Sequence, residues 1–139
     1  MVARKEVTLD WLKNVLIQEG YEIVAEPQVD KLIAKHPSRP NIIAAINRDL
    51  NVISFVHSWK LKKPDLFHHE KQLLTAINTA DSMSWYETFY RDKDGDLGVS
   101  SILFLTEQLS EADVADFLRR EAAKFTPLLV LSKLKEWMV

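Results

Sequence analysis

The chain reads as an α+β domain, an antiparallel sheet with helices packed mainly on one of its faces. Three observations predict this. Trp85 to Leu118 runs without a gap as strand, tight turn, strand, connector and capped helix. Tyr21 to Leu61 holds about four strand-like segments with no helical stripe between them. The remaining helical stripes stand at the start, the middle and the end of the sequence. Helices and strands therefore come in blocks, which disfavours a doubly wound parallel sheet. The expected order is helix, about four strands, helix, β-hairpin, helix and terminal helix, and the chain of 139 residues is expected to be one domain over 1–139.

Each element has its own signal. Thr8 suits an N-cap ahead of Leu9, Asp10 favours the positive end of the helix dipole, and Leu9, Leu12, Val15 and Leu16 form a stripe that Gly20 closes. Tyr21 to Ala25 reads as a strand stopped by Pro27, and Lys31 to Lys35 as a second; Pro37 and Pro40 bracket a turn. Asn41 to Asn47 carries Ile42, Ile43 and Ile46, and from Val52 to Leu61 the alternation places Ile53, Phe55, His57, Trp59 and Leu61 on one face. After Lys62-Lys63-Pro64, Leu66, Leu73 and Ile77, with Leu74 and Ala80, predict a second helix over about residues 66–80.

The aromatic and branched runs Trp85 to Tyr90 and Val99 to Leu105 flank Asp92 to Asp96, where Asp94-Gly95 suits a two-residue type I′ turn. That turn would pair Tyr86 with Leu103 and Tyr90 with Val99 on one face, and Trp85 with Phe104 on the other. Ser110 and Asp113 approximate a capping box for a third helix whose buried stripe is Val114, Phe117, Leu118, Ala122 and Phe125. Thr126-Pro127 repeats a cap followed by proline, so Leu128 to Met138 is expected to form a separate helix or a kinked extension.

Composition narrows the function classes. Without cysteine there is no disulfide framework, thiolate metal site or cysteine nucleophile, and a reducing, cytoplasmic location is the simplest expectation. No apolar run reaches the roughly 18 residues of a membrane span, and the N-terminus lacks the apolar core of a signal peptide, so a soluble protein is expected. A formal charge of −2 provides no strong field for drawing in phosphates, so nucleic acid is not expected as a partner.

Four stretches carry the resemblance to a known family: Thr8-Leu9-Asp10-Trp11-Leu12 through Gly20-Tyr21-Glu22, Ala76-Ile77-Asn78, Phe89-Tyr90-Arg91-Asp92-Lys93-Asp94-Gly95-Asp96-Leu97, and Leu109-Ser110-Glu111. With the element order, they resemble the YbjN-like family of small bacterial domains over about residues 8–125. The resemblance implies a fold similar to type III secretion chaperones, a role in sensory-transduction regulation or chaperone-like binding, a dimeric habit, and neither established chemistry nor a required cofactor. The chain departs from the family in having only Asn78 where the second helix ends Asn-rich, and in the apolar extension over 126–139.

No residue set amounts to a catalytic or metal site. Counted from Asp92, the sixth and twelfth positions of an EF-hand loop lack its glycine and glutamate, since Gly95 is fourth and Leu103 twelfth; Asp92, Asp94 and Asp96 read as a solvated turn. His68 and His69 would point about 100° apart on a helix and would need distant ligands such as His36 or His57 to hold a metal. His57 stands between Phe55 and Trp59 on an apolar strand face and reads as a hydrogen-bonded core or rim residue, with a depressed pKa or a switching role as the sharper reading. Ser100-Ser101 lacks a nucleophile elbow, and Trp59-Lys60-Leu61-Lys62-Lys63 reads as a solvated strand end.

The apolar surplus is the stronger clue. Leu128, Leu129, Val130, Leu131, Leu134, Trp137 and Met138 cover more than one face of a helix, so they are expected to pack on the sheet or to form a subunit or partner interface. The expectation is a non-catalytic adaptor or chaperone-like regulator and homodimer, binding an unidentified protein client on a sheet edge or in an apolar groove. Its interface residues are expected to be Tyr86, Tyr90, Leu103, Leu128, Leu131, Leu134 and Trp137, with no catalytic, cofactor or metal residues. The alternative is a small-ligand sensor or enzyme with a pocket near His57, Trp59, Tyr86 and Tyr90.

Overall fold

The computed structural model describes residues 2–24, 31–62, 69–84 and 86–139. In chain order its elements are β1 (Val2–Ala3), a 3-10 turn (Arg4–Glu6), α1 (Leu9–Gln18), β2 (Glu22–Ile23), β3 (Lys31–Lys35), β4 (Asn41–Asn47), β5 (Val52–Trp59), α2 (Glu70–Met83), β6 (Thr88–Arg91), β7 (Leu97–Phe104), β8 (Gln108–Leu109), α3 (Glu111–Leu131) and a closing 3-10 turn (Leu134–Trp137). Six strands form an antiparallel sheet in the order β2-β3-β4-β5-β7-β6, and β1 pairs with β8 in a small separate ladder. This is the α+β architecture that the sequence predicts, with α1, α2 and α3 as its helices.

Local chemistry starts the elements where the sequence places them. The Thr8 hydroxyl accepts from the Trp11 N–H at 3.2 Å, and α1 buries Leu12, Val15 and Leu16. At its end Gly20 takes φ 95°, and the Tyr21 N–H reaches back to the Leu16 carbonyl at 3.0 Å, a Schellman closure. Ser110 and Asp113 form a full capping box, each side chain accepting the other's N–H at 3.0 Å. The strand after α1 is shorter than expected, Glu22–Ile23; Ala25 and Pro27 lie outside the described residues. The second helix starts at Glu70 and continues to Met83, while Leu66 and His68 also lie outside the described residues.

Two expectations are corrected. The hairpin does not turn on a two-residue type I′ loop. The Gly95 N–H bonds the Asp92 carbonyl at 3.0 Å, Gly95 takes φ 82°, and the ladder closes with the Asp92 N–H on the Asp96 carbonyl at 2.8 Å. Three residues therefore form the loop, a type I turn followed by a left-handed glycine. The register slips by one residue: Tyr90 stands opposite Gly98 and Phe89 opposite Val99, not Tyr90 opposite Val99. Because strand side chains alternate, that slip puts Phe89 in the core and Tyr90 on the other face. Leu103 pairs with Ile53 of β5, and Tyr86 precedes β6, so the Tyr86–Leu103 pair does not form; Trp85 lies outside the described residues.

The terminal helix is not a separate element. α3 continues through Pro127 to Leu131 and gives way to the closing 3-10 turn after Lys133, which takes φ 67°. Thr126, Pro127 and Ala123 all lie on the exposed side of the helix, so water can solvate the Ala123 carbonyl that the proline leaves without a donor. The tail is then pinned to the end of β5. Leu61 bridges Met138, the Lys62 N–H reaches the Trp137 carbonyl at 2.6 Å, and the Val139 N–H reaches the Lys60 carbonyl at 3.1 Å.

The sheet has two unlike faces. On the inner face, Ile42, Phe55, His57, Val99 and Phe89 meet the helices in two adjoining clusters. The first joins α1, β3 to β5 and the N-terminal half of α3 through Leu12, Leu16, Phe55, Val114 and Leu118. The second joins α2, β6, β7 and the C-terminal half of α3 through Leu73, Ile77, Phe89, Phe125, Leu129 and Leu134. On the outer face Ile33, Ile43 and Val56 stand in one cross-strand row, and Ile33, Ile43, Ile102 and Phe104 are exposed.

Candidate functional site

Six of the seven residues expected at an interface separate into three groups, and Trp137 lines a separate groove. Leu134 is 0% exposed and belongs to the second core cluster, and Leu103 is half-buried against the first. Tyr90 lies on the outer sheet face over Gly98. Tyr86, Leu128 and Leu131 converge: with Met83 and Pro127 they line a groove of ≈ 350 Å³ between the end of α2, the segment before β6 and the end of α3. Tyr86 is 77% exposed and Leu131 66%. A second groove, of ≈ 550 Å³, runs between α2 and the closing turn, lined by Lys71, Thr75, Leu131 and Trp137 among others. Leu131 borders both grooves, so an apolar ridge divides them.

The alternative pocket around His57, Trp59, Tyr86 and Tyr90 does not assemble. His57 is 2% exposed on the inner face, where its ring meets the Phe125 ring edge-on with centroids 4.7 Å apart, and Trp59 meets the same ring at 5.2 Å. Tyr90 is on the opposite face of the sheet, and Tyr86 lies in the groove outside. Neither His57 ring nitrogen has a hydrogen-bond partner among the described residues, unlike the bonded histidine that the sequence suggests. Burial, opposed by the charge of Glu87, lowers its pKa to about 4, so the imidazole is neutral at physiological pH.

Beneath the groove lies a polar cluster that the sequence reading did not single out. Lys124 of α3 reaches Oε1 of Glu87 at 3.2 Å and Oε1 of Glu121 at 3.3 Å, and its ammonium sits 5.5 Å from the centre of the Tyr86 ring. Both carboxyl side chains are almost fully buried. Ser84 donates its hydroxyl to Glu87 Oε2 and accepts the Glu87 N–H. Glu121 faces Glu87 closely enough for a proton on one carboxyl to be drawn toward the other, while its Oε2 has no partner at full hydrogen-bond geometry. Burial first, and the facing Glu87 second, push the Glu121 pKa up to about 7. Burial would also raise Glu87, but hydrogen bonds from Glu121, Ser84 and Lys124 outweigh it and hold that pKa below the usual carboxylate value. A signal for the cluster is in the sequence: Glu121 is seven residues after Val114 and four before Phe125, on the stripe of core positions.

The remaining candidate ligands serve the fold. Asp92 Oδ1 accepts the N–H groups of Asp94 and Asp96 at 2.9 Å, and Asp96 Oδ1 accepts the Leu61 N–H at 3.1 Å. His36 Nε2 bonds the Glu19 carbonyl at 3.2 Å and its Nδ1 accepts the Ser38 N–H at 3.1 Å. Among the described residues no three His, Asp or Glu side chains group as metal ligands would, and no helix is long and apolar enough to cross a membrane.

The sequence profile of the YbjN family, described as "Putative bacterial sensory transduction regulator", matches residues 8–123. The chain belongs to the YbjN family. A solved structure titled "Crystal structure of YbjN, a putative transcription regulator from E. coli" is similar in fold, with a TM-score of 0.68 at 15% identity over 96% of each chain. Among curated proteins no sequence matches. The YbjN-family match takes in Met83 to Glu87 and Glu121, whereas Lys124, Leu128 and Leu131 follow its last residue.

Proposed function

We propose that this YbjN-family protein is a non-catalytic adaptor or chaperone-like regulator of the cytoplasm, which takes a segment of a protein client into the groove between Tyr86 and Leu131. The observation that carries this reading is the groove's lining: Met83, Tyr86, Leu128 and Leu131 present apolar surface that is not covered among the described residues, beside a helix end packed into the second core cluster. Exposed apolar patches of this kind mark binding sites more often than bare surface, and a groove between helix ends accepts an amphipathic helix or an extended segment. A photo-reactive phenylalanine analogue at residue 131 tests it. The expected result is one discrete cross-linked species, abolished by Tyr86→Asp; no adduct, or an adduct indifferent to that change, argues against the groove.

A second reading concerns self-association. The Ile33, Ile43 and Val56 row, with Ile102 and Phe104 beside it, leaves the outer face of the sheet apolar and without a helix among the described residues. A second copy packed on that face would make a homodimer by twofold symmetry, which supports the dimeric expectation while leaving the groove open to a client.

A further inference from the structure

We propose that the client segment is an acidic amphipathic helix, laid along α2 with its apolar side on Met83, Leu128 and Leu131 and its carboxylates toward Lys71 and Lys133. This rests on the docking role above and adds the client's chemistry. Its first support is alignment. On the α2 side, Lys71, Thr75 and Thr79 line the groove of ≈ 550 Å³, and Met83 lines the groove of ≈ 350 Å³. These residues stand four apart, so they form a single ridge of α2, and the two grooves follow each other along it for about 18 Å, a little over three helical turns. Leu131 of α3 belongs to the opposite wall of both. A trough of that length beside a helix suits a second helix of about 12 residues.

The second support is charge. At the Met83 end the lining is apolar, and its cation, Lys124, is already held by Glu87 and Glu121. At the other end Lys71 and Lys133 are exposed on opposite walls, and neither is paired with a carboxylate among the described residues. Lys62 adds a positive charge there, its ammonium resting on the Glu136 carbonyl at 3.2 Å, and Glu136 is the acid in the lining. Glu70, beside Lys71 in sequence, is engaged by Arg91. Lys62, Lys71 and Lys133 against Glu136 thus make this end positive on a chain whose formal charge is −2, which favours carboxylates on the client. The threonines do not compete for them: Thr75 donates its hydroxyl to the Lys71 carbonyl and Thr79 to the Thr75 carbonyl, each at 2.8 Å. A nucleic-acid backbone would need cations along the whole trough, where Met83, Leu128 and Leu131 stand instead.

Selection from a displayed library of random segments of about 16 residues, long enough to span the trough, tests this without a known client. The purified protein is expected to enrich segments with apolar residues at helical spacing and Asp or Glu gathered toward one end. Their binding should weaken about fivefold or more in a Lys71→Glu, Lys133→Glu double variant, and should weaken likewise at about 0.5 M NaCl. Both lysines are exposed, and circular dichroism with thermal unfolding checks that the variant keeps the fold. Lys71→Gln with Lys133→Gln, which removes the charges without reversing them, should also lose the acidic preference. Enriched segments with the apolar pattern but no acidic residues, or acidic segments indifferent to both double variants, overturn the acidic chemistry and leave the docking role standing. If no enriched segment loses binding with Tyr86→Asp, the docking role itself falls. An oligonucleotide that displaces the enriched segments and depends on the same two lysines would assign the positive end to nucleic acid and overturn the proposal.

Discussion

The ring of Tyr90 lies so close across Gly98 that a Cβ on residue 98 would stand 2.6 Å from Tyr90 Cζ. The two residues face each other between β6 and β7, and Gly98 does not take positive φ, so the demand for glycine comes from the ring and not from the backbone. Gly98→Ala is expected to destabilise by about 1–3 kcal/mol, as overpacking does. In a Tyr90→Ala background most of that penalty should vanish, because contacting residues are not additive. Denaturant midpoints for the four variants measure the coupling, and an unchanged cost would show that the ring is not the obstacle.

His57 and Glu121 should impose opposite pH dependences on stability. His57 is held neutral with a pKa of about 4, so between there and its ordinary value of 6.5 the unfolded chain binds a proton that the folded chain refuses, and stability rises with pH. Glu121, with its pKa raised to about 7 from 4.5, keeps a proton that the unfolded chain releases. Its contribution is fully present below pH 4.5 and is lost as pH rises to 7. Each slope is at most about 1.4 kcal/mol per pH unit, and over the shared window they largely cancel. Wild-type stability should therefore be nearly flat from pH 4.5 to 6.5. Glu121→Gln should uncover a rising profile and His57→Leu a falling one; urea unfolding at five pH values separates them, and parallel profiles in the two variants would refute both assignments.

These two residues mark where the sequence was legible and where it was not. Thr8, Gly20, Ser110 and the alternation through β5 act locally, within a few residues of the feature they specify, and the structure follows them. The hairpin register depended on one backbone choice, a left-handed Gly95 closing a three-residue loop around Asp92, and Asp94-Gly95 serves either turn type. Pro127 carries the sequence mark of a helix start, yet its exposure lets α3 run through it. The Glu87, Glu121 and Lys124 cluster was missed for a different reason. Its members come from two segments that only the packing of α3 over β5 brings together, and a glutamate on an apolar stripe looks like a gap in the pattern until its partners are known.

Leu131 and Leu134, three residues apart, should respond in opposite ways. Leu134 is 0% exposed in the second core cluster, and Leu134→Ala is expected to cost about 2–5 kcal/mol through the cavity it leaves. Leu131 is 66% exposed on the ridge between the grooves, so Leu131→Asp should stay within about 0.5 kcal/mol of wild type. Thermal unfolding distinguishes the two. A Leu131→Asp protein that unfolds would make the tail simply core and remove the basis for a docking ridge.

The last prediction is that the chain forms a homodimer through the outer face of its sheet. Helices cover the inner face, where Phe55, His57 and Val99 are buried, whereas Ile33, Ile43, Ile102 and Phe104 remain exposed on the other. Ile43 sits mid-sheet, flanked in register by Ile33 on β3 and Val56 on β5, so a charge there falls at the centre of any sheet-on-sheet contact. In the isolated protomer the same charge meets water, because the Ile43 side chain is already partly exposed. Ile43→Asp should therefore convert a dimer to a folded monomer with unchanged far-ultraviolet circular dichroism, while Leu131→Asp should leave the assembly intact. Sedimentation at micromolar concentration reads the mass directly. Wild-type protein sedimenting at the 16.1 kDa of one chain would eliminate the dimer, and a dimer that survives Ile43→Asp but is lost with Leu131→Asp would move the interface from the sheet to the grooves.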